Sequence, residues 1–269
     1  MSEKSPSITI HKALNDFIVG AKEWRIWHMM AITEIKMRYK RSKFGQLWIT
    51  LSNAINILAL GLIWASVFKI ELKDYMPYVT VNFFLWMLLS SIVTDSCSIF
   101  TSSTRYMQQI PLKKSSFAYM NVYRNFVIFA HNIIVIVAVF LFFQEPLGIN
   151  FLFSVAGLVL IALNAIWVSI LIGIICARFR DVTNITASML QIAFYLTPTL
   201  WKLQNMSPKI VLISNFNPFN IFISIVRDGL FNLEPNLRYW KSALCITAIG
   251  WLVTILVFSK YRNRIVFWV

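Results

Sequence analysis

Long apolar runs separated by short polar segments set the pattern of this chain. Five stretches are long enough to cross about 30 Å of hydrocarbon as helices rising 1.5 Å per residue. They run from Trp48 to Phe68, Tyr78 to Phe100, Tyr119 to Phe143, Phe151 to Cys176 and Ala243 to Ser259. The stretch between the last two is less regular. Ile185 to Leu200 is apolar but carries Thr186, Ser188, Gln191 and Thr197, and Pro198 closes it. A further apolar stretch, Ile210 to Phe231, is interrupted by Asn215, Asn217, Pro218 and Asn220. Two full spans here give seven in all; one span followed by short re-entrant or interfacial helices gives six.

The segment before Trp48 is polar and has no apolar core of the kind a cleavable signal peptide needs. Within it Trp24, Trp27, Ala31 and Ile35 share one face at 100° per residue, with Lys22, Arg25 and Lys36 roughly opposite. That pattern predicts an amphipathic helix. It reads as a cytoplasmic helix lying in the membrane interface, the alternative being one packed on a protein partner.

Composition agrees with a membrane body. Apolar residues make up 58% of the 269 and charged residues 13%, where a soluble domain carries about 25% charged. Mean hydropathy is +0.66. The net charge of +14, from 25 Lys and Arg against 11 Asp and Glu, decides the topology. With six spans both ends share a compartment, and 18 of the 25 basic residues fall in it. Seven spans put the basic tail of Lys260, Arg262 and Arg264 opposite the basic N-terminus. Cytoplasmic segments collect Lys and Arg, so the expectation is six spans with both termini cytoplasmic. The charge excess then reports topology rather than a nucleic-acid partner. The fold predicted is an all-α integral membrane protein: a cytoplasmic arm over 1–47, a six-span domain over 48–259 and a basic tail over 260–269. Cys97, Cys176 and Cys245 stand alone in apolar surroundings, without disulfide or zinc spacing.

Candidate chemistry lies at the span ends. Arg38, Lys40, Arg41 and Lys43 cluster before the first span, each gaining about 1 kcal/mol beside an anionic membrane surface. The loop Arg105 to Phe117 mixes Tyr106, Met107, Ile110 and Leu112 with Lys113 and Lys114, and Pro111 stops or bends a short helix. It reads as a solvated loop or as a docking element, with Ser115 and Ser116 placed to cap the next helix. Asp95 is an acid inside a span, with Ser90, Ser91, Thr94, Ser96 and Ser98 nearby. An acid there faces the protein interior or water. Arg178, Arg180 and Asp181 suggest a local salt bridge or a helix-end charge arrangement. Past Pro208, Asn217 is placed to cap a helix that opens on Pro218 and carries Arg227 and Asp228 towards Gly229. Such a short apolar helix dips into the outer leaflet or lies across it.

Four pieces in order carry a family likeness: RYKRSKFGQLW at Arg38 to Trp48, RFRDV at Arg178 to Val182, QIAFYLTP at Gln191 to Pro198 and NPFNIFISIVRDGL at Asn217 to Leu230. With them the chain resembles the permease subunit of bacterial ABC exporters of lipid-linked polysaccharide, such as O-antigen, capsule and teichoic acid precursors, within the type 2 ABC transporter permeases. The resemblance implies a homodimer in the inner membrane, paired with two copies of a separate cytoplasmic ATPase that binds ATP and Mg. It implies a substrate glycan on a polyprenyl pyrophosphate or another lipid. By the same likeness Trp24, Trp27, Tyr106, Met107, Lys113 and Lys114 belong to ATPase-coupling surfaces. Arg38, Lys40, Arg41 and Lys43 become a candidate pyrophosphate site, and Pro208, Asn217, Pro218, Arg227 and Asp228 an outer gate. Independently of it, none of the eight glycines sits in a G-x-x-x-x-G-K-[ST] phosphate loop, so the chain is not expected to be an enzyme or to bind a cofactor of its own.

Three rival readings are weaker. A drug or small-lipid ABC exporter shares the six-span layout but needs no continuous channel for a polymer. An ion-coupled secondary transporter calls for an inverted repeat with discontinuous spans in both halves, and the pattern has one broken region. A membrane enzyme needs a nucleophile and base close together, and none cluster.

Overall fold

The computed structural model describes residues 6–39, 47–109, 112–203 and 206–269, and among these it contains helices and turns without strands. In chain order the helices are α1 (Pro6–Lys22), α2 (Trp24–Tyr39), α3 (Leu47–Phe68), α4 (Leu72–Ser96), α5 (Thr104–Gln109), α6 (Lys114–Phe143), α7 (Phe151–Arg178), α8 (Asp181–Leu196), α9 (Pro208–Phe216), α10 (Pro218–Leu230) and α11 (Leu237–Tyr261), followed by a 3-10 segment, Arg262–Phe267. Five of them, α3, α4, α6, α7 and α11, are long and apolar enough to cross a membrane. The pair α9–α10 makes a sixth candidate only if its 88° bend lies within one span. The chain is an all-α, multi-pass integral membrane protein.

The two ends of the bundle differ. At the arm end α1 and α2 pack on α6, and Arg262 reaches Asp16 at 3.5 Å and the Lys12 carbonyl, so both terminal segments meet there. At the hairpin end lie α9 and α10 and the turns that join α3 to α4 and α6 to α7. α6 has 30 residues, about 45 Å, and exceeds the hydrocarbon thickness. Its surplus length is the part that the arm covers.

Polar pairs join the spans where apolar side chains alone give no preference over lipid. Asn121 donates to Ser96 Oγ and Ser169 Oγ at 3.2 and 3.0 Å, tying α6 to α4 and α7. Asn53 donates to Asn132 at 3.2 Å, and Asn164 to Thr247 at 2.8 Å. His131 Nδ1 lies 2.8 Å from the Val127 carbonyl of its own helix.

Several expectations change here. The arm holds two helices rather than one. α1 buries Ala13 and Phe17 in the core shared with Phe117 and Phe258. In α2 Ala31 and Ile35 are buried and Trp27 half-buried, but Trp24, on the same face at the first position of the helix, is 52% exposed. The cap expected of Ser115 and Ser116 runs the other way: Asp16 Oδ1 accepts from the Ser115 amide at 3.1 Å, and Ser115 Oγ donates to the Asp16 carbonyl at 2.8 Å. A carboxylate from α1 thus serves the N-terminus of α6, where the helix dipole favours it. Gly20 lets this contact form, because a Cβ there would stand 2.2 Å from Ser115 Oγ. Removing the Asp16 carboxylate by Asp16→Ala should cost about 1–2 kcal/mol, the usual range for a lost cap. The measurement is thermal unfolding in detergent, where an unchanged midpoint would exclude the cap.

The expected fifth span is also shorter than a full crossing. α8 has 16 residues, about 24 Å, and stops at Leu196. Residues 197–201 continue without helix along α4 towards its first turn. Arg178, Arg180 and Asp181 form no salt bridge with one another; Asp181 sits in the first turn of α8, and Arg178 lies 5.4 Å from the Trp268 ring.

Candidate functional site

The broken segment after α8 is held by two tyrosines of α4. The Tyr78 hydroxyl lies 3.1 and 3.0 Å from the carbonyl oxygens of Pro198 and Trp201, and the Tyr75 hydroxyl donates to the carbonyl of Leu200. Thr197, Pro198 and Thr199 are buried. Non-helical backbone at membrane depth persists only when protein or water satisfies it; here tyrosine hydroxyls do so.

The hairpin α9–α10 enters the bundle and returns. Asn217 at the bend accepts the Phe219 amide at 3.0 Å and donates to Thr197 Oγ1 at 2.8 Å, so one side chain caps α10 and ties it to the end of α8. Pro218 opens α10 and Pro208 opens α9, as expected for a residue without N–H at a first helical position. Phe219 lies 5.0 Å from the Trp86 ring, and Trp86 stands about 21 Å along α4. Gly229, near the other end of α10, touches Asn150 and Ser154 where α7 begins. The bend is therefore deep in the bundle and the last turn of α10 is at the hairpin end.

Along α10 a polar chain runs inward. Arg227 donates from Nε and Nη2 to Asp228 Oδ1 at 2.9 and 2.7 Å and from Nη2 to Ser224 Oγ at 3.2 Å. Ser224 continues to Asn220, whose amide donates to the Ser214 carbonyl at 2.9 Å. The Arg227 guanidinium also stands 5.5 Å from the Tyr78 ring, with the Lys202 ammonium 5.2 Å from the same ring. Tyr78 thus contacts both strands of the broken region, through its hydroxyl and through its π face.

At the arm end Asp95 faces a protein partner. Its Oδ2 accepts from Arg124 Nη2 at 2.9 Å and from Asn125 at 3.0 Å, while Arg124 Nη1 pairs with Glu34 of α2. Ser90 and Ser91 instead donate to carbonyls of their own helix. Beside this triad, Trp27 and His28 lie 5.8 and 4.9 Å from the Tyr123 ring. The predicted short helix is present as α5, with Met107 buried and Tyr106 exposed; Ile110 and Pro111 lie outside the described residues. Lys113 and Lys114 are half-buried at the start of α6. Of the basic cluster, Arg38 lies in the last turn of α2, while Lys40, Arg41 and Lys43 lie outside the described residues.

α8 differs from the other apolar helices in having no buried residue. Asn184, Ser188, Gln191 and Tyr195 are all exposed, and their spacing places them within about 60° on one face. None makes a side-chain hydrogen bond with another described residue. A stripe of amides and hydroxyls at this depth is costly against lipid, so it faces water or another protein surface.

Sequence reasoning gave Tyr75 no role, took Tyr78 only as the start of a span, and counted Glu34 and Arg124 only as charges. Among the described residues no group of three His, Cys, Asp or Glu side chains could hold a metal ion.

Known proteins bear on this geometry. Residues 27–231 match the family model described as ABC-2 type transporter. Two proteins of Klebsiella pneumoniae, each named O-antigen export system permease protein RfbA, are similar to the chain. They are 26% and 24% identical over 239 and 240 residues, covering 86% of this chain and 90% of each relative. The family match spans most of the chain: it belongs to the ABC-2 type transporter family.

Proposed function

We propose that this ABC-2 type transporter is the permease of an ATP-driven exporter that moves lipid-linked polysaccharide, O-antigen-like and carried on polyprenyl pyrophosphate, out of the cytoplasm across the bacterial inner membrane. In this reading two copies form the channel, and two copies of a cytoplasmic ATPase supply ATP and Mg. The arm end faces the cytoplasm and the hairpin end faces outward.

One observation carries the reading, the exposed polar stripe of α8. A glycan keeps its hydroxyls hydrated at every step, because stripping each of water without a partner is expensive. Its path must be wet along the whole span. Asn184, Ser188, Gln191 and Tyr195 supply such a wall, and a second copy of the chain encloses it from the other side. The K. pneumoniae relatives bear the name of an O-antigen export system, which supports the substrate class. At the outer mouth the hairpin and residues 197–201 form a cover whose backbone is held by side chains rather than by a continuous helix, a construction suited to opening. At the inner mouth Trp24, Trp27, Tyr106, Met107, Lys113 and Lys114 are the proposed surface for the ATPase, and Arg38, Lys40, Arg41 and Lys43 the proposed contact for the carrier's pyrophosphate.

Reconstitution with the cognate ATPase in proteoliposomes tests this. ATP should drive polyprenyl-linked glycan into a compartment where an added glycosidase reaches it, and Gln191→Leu with Ser188→Leu should slow that step by tenfold or more on the order of ~1.4 kcal/mol of barrier. ATPase stimulation by a small hydrophobic drug with no glycan movement would refute the substrate class. Transport without any ATPase would refute the energy source. For the docking surface, the charge reversal Lys113→Glu with Lys114→Glu should reduce co-purification of the ATPase several-fold. Unchanged recovery of the complex would remove those lysines from the interface.

A further inference from the structure

Asp95 of the arm-end triad and the tyrosines at the hairpin end sit on the same helix, α4. We propose that Arg124 is the positioning residue that couples the arm to α4, and that α4 carries the displacement to the outer hairpin through Tyr75 and Tyr78. The inference rests on the exporter reading above and names the route by which its two ends communicate.

The chemistry of the triad supports a switchable link. One guanidinium serves two acids: Glu34 on α2 through Nη1, and Asp95 on α4 through Nη2. Asn121 Oδ1 accepts from the same Nη2 at 3.0 Å, and Asn125 holds the Asp95 oxygen. The Arg124 side chain is 11% exposed and the two acids about a quarter exposed, so solvent screens these pairs less than surface ones. Arg124 and Asp95 are locked by the two asparagines, whereas Glu34 has Arg124 as its one ionic partner among the described residues. The pair from α6 to α4 therefore persists when the pair to the arm breaks. Two discrete arrangements follow, arm engaged and arm released, and coupling between distant sites requires such an element. A planar fork can hold two carboxylates at once in fixed geometry; a lysine ammonium cannot reproduce that.

Placement makes the link useful. The segment between Asp95 and Arg124 contains α5, Lys113 and Lys114, so the ion pair closes the base of the loop proposed to meet the ATPase. Glu34 joins the arm to the same point. From Asp95, α4 runs without a helical break to Tyr78, about 25 Å away. On the way Trp86 packs against Phe194 of α8 and Phe219 of α10, at 5.4 and 5.0 Å. At the far end the tyrosine hydroxyls hold the carbonyls of residues 198, 200 and 201. A shift of α4 at the triad reaches the broken segment through bonds already in place.

The experiment uses the reconstituted complex of the full chain with its ATPase. The native cysteines are replaced, a single cysteine is placed at Lys209, exposed in the first turn of α9, and labelling by a membrane-impermeant maleimide is timed with and without ATP. Arg124→Lys and Glu34→Gln cut the link at the arm end, and Tyr78→Phe cuts it at the hairpin end. All three should retain complex assembly and ATP hydrolysis while the ATP-dependent change in labelling falls at least about fivefold, the low end of an ordinary coupling between sites. The exchange Arg124→Asp with Asp95→Arg should recover part of the change. An unaltered labelling response in both Arg124→Lys and Glu34→Gln overturns the inference. If the unmodified complex shows no response to ATP, the exporter reading fails and the inference falls with it. If Arg124→Lys does not assemble, Glu34→Gln, which keeps the side-chain shape and leaves the Arg124–Asp95 pair intact, decides alone.

Discussion

Asp228→Ala should collapse the hairpin end. The substitution leaves the Arg227 guanidinium without its carboxylate in a position where the Arg227 side chain is 12% exposed. Breaking a buried pair by removing one partner costs about 3–5 kcal/mol, because the remaining charge is neither solvated nor matched. Ser224 and the Tyr78 ring do not replace a carboxylate: the first is a neutral hydroxyl, and a cation beside a ring gains only about 1–2 kcal/mol. The expected result is a lower unfolding midpoint in detergent and loss of glycan export. Replacing both residues by apolar ones, Arg227→Met with Asp228→Leu, should restore most of the stability, since such pairs are often neutral to remove together. If the double variant is stable but does not export, the pair acts in gating as well as in folding. An unchanged midpoint in Asp228→Ala would show that the pair is not needed for the hairpin.

Gly229→Ala is expected to be nearly as damaging for a different reason. A Cβ on Gly229 would stand 2.4 Å from Ser154 Oγ and 2.7 Å from both the Asn150 carbonyl and the Ser154 amide nitrogen. Two of these three are backbone atoms at the start of α7, so a rotamer change cannot relieve the clash. Overpacking of this kind costs about 1–3 kcal/mol, and α10 must lift from α7 to accept it. Gly61 offers the control: a Cβ there meets the flexible Met76 side chain, with Sδ at 2.3 Å, which can yield. Gly229→Ala should therefore lower both the unfolding midpoint and glycan export, with Gly61→Ala close to the unmodified chain. Equal effects from the two would contradict the packing argument.

The spans were legible because a 20-residue apolar run has few other uses in a chain of this composition. The start of α10 was legible too: Asn217 and Pro218 are local signals, and both act as expected. What could not be read depended on distant partners. Tyr78 lies 120 residues from the Pro198 carbonyl it meets, and a tyrosine at a span end looks the same whether it touches headgroups or backbone. Asp95 stood out, but of its serine neighbours Ser90 and Ser91 bond their own helix and Ser96 turns to α6 and α7, and its own partners come 29 and 30 residues later. Arg124 was counted as one more basic residue of a cytoplasmic boundary, because charge counting is blind to pairing. α1 escaped notice since its contact face, with Ala13, Phe17 and Gly20, is narrow and set in a polar stretch. Such a face suits docking on protein and leaves little hydropathy signal. The shortness of α8 was hidden by Thr197 to Leu200, whose composition suits a helix end as well as a buried turn.

The contact between Arg262 and the Lys12 carbonyl spans 250 residues of chain, and it has a consequence for biogenesis. Asp16 leaves the ribosome before Ser115, and Ser115 well before Arg262. During translation the amino-terminal segment has no complete seat. Its seat closes only when α11 has been inserted with Arg262 at the arm end, the cytoplasmic end in the proposed topology. An α11 inserted in the wrong direction would leave Asp16 without Arg262 and the arm without this contact to the segment that follows α11.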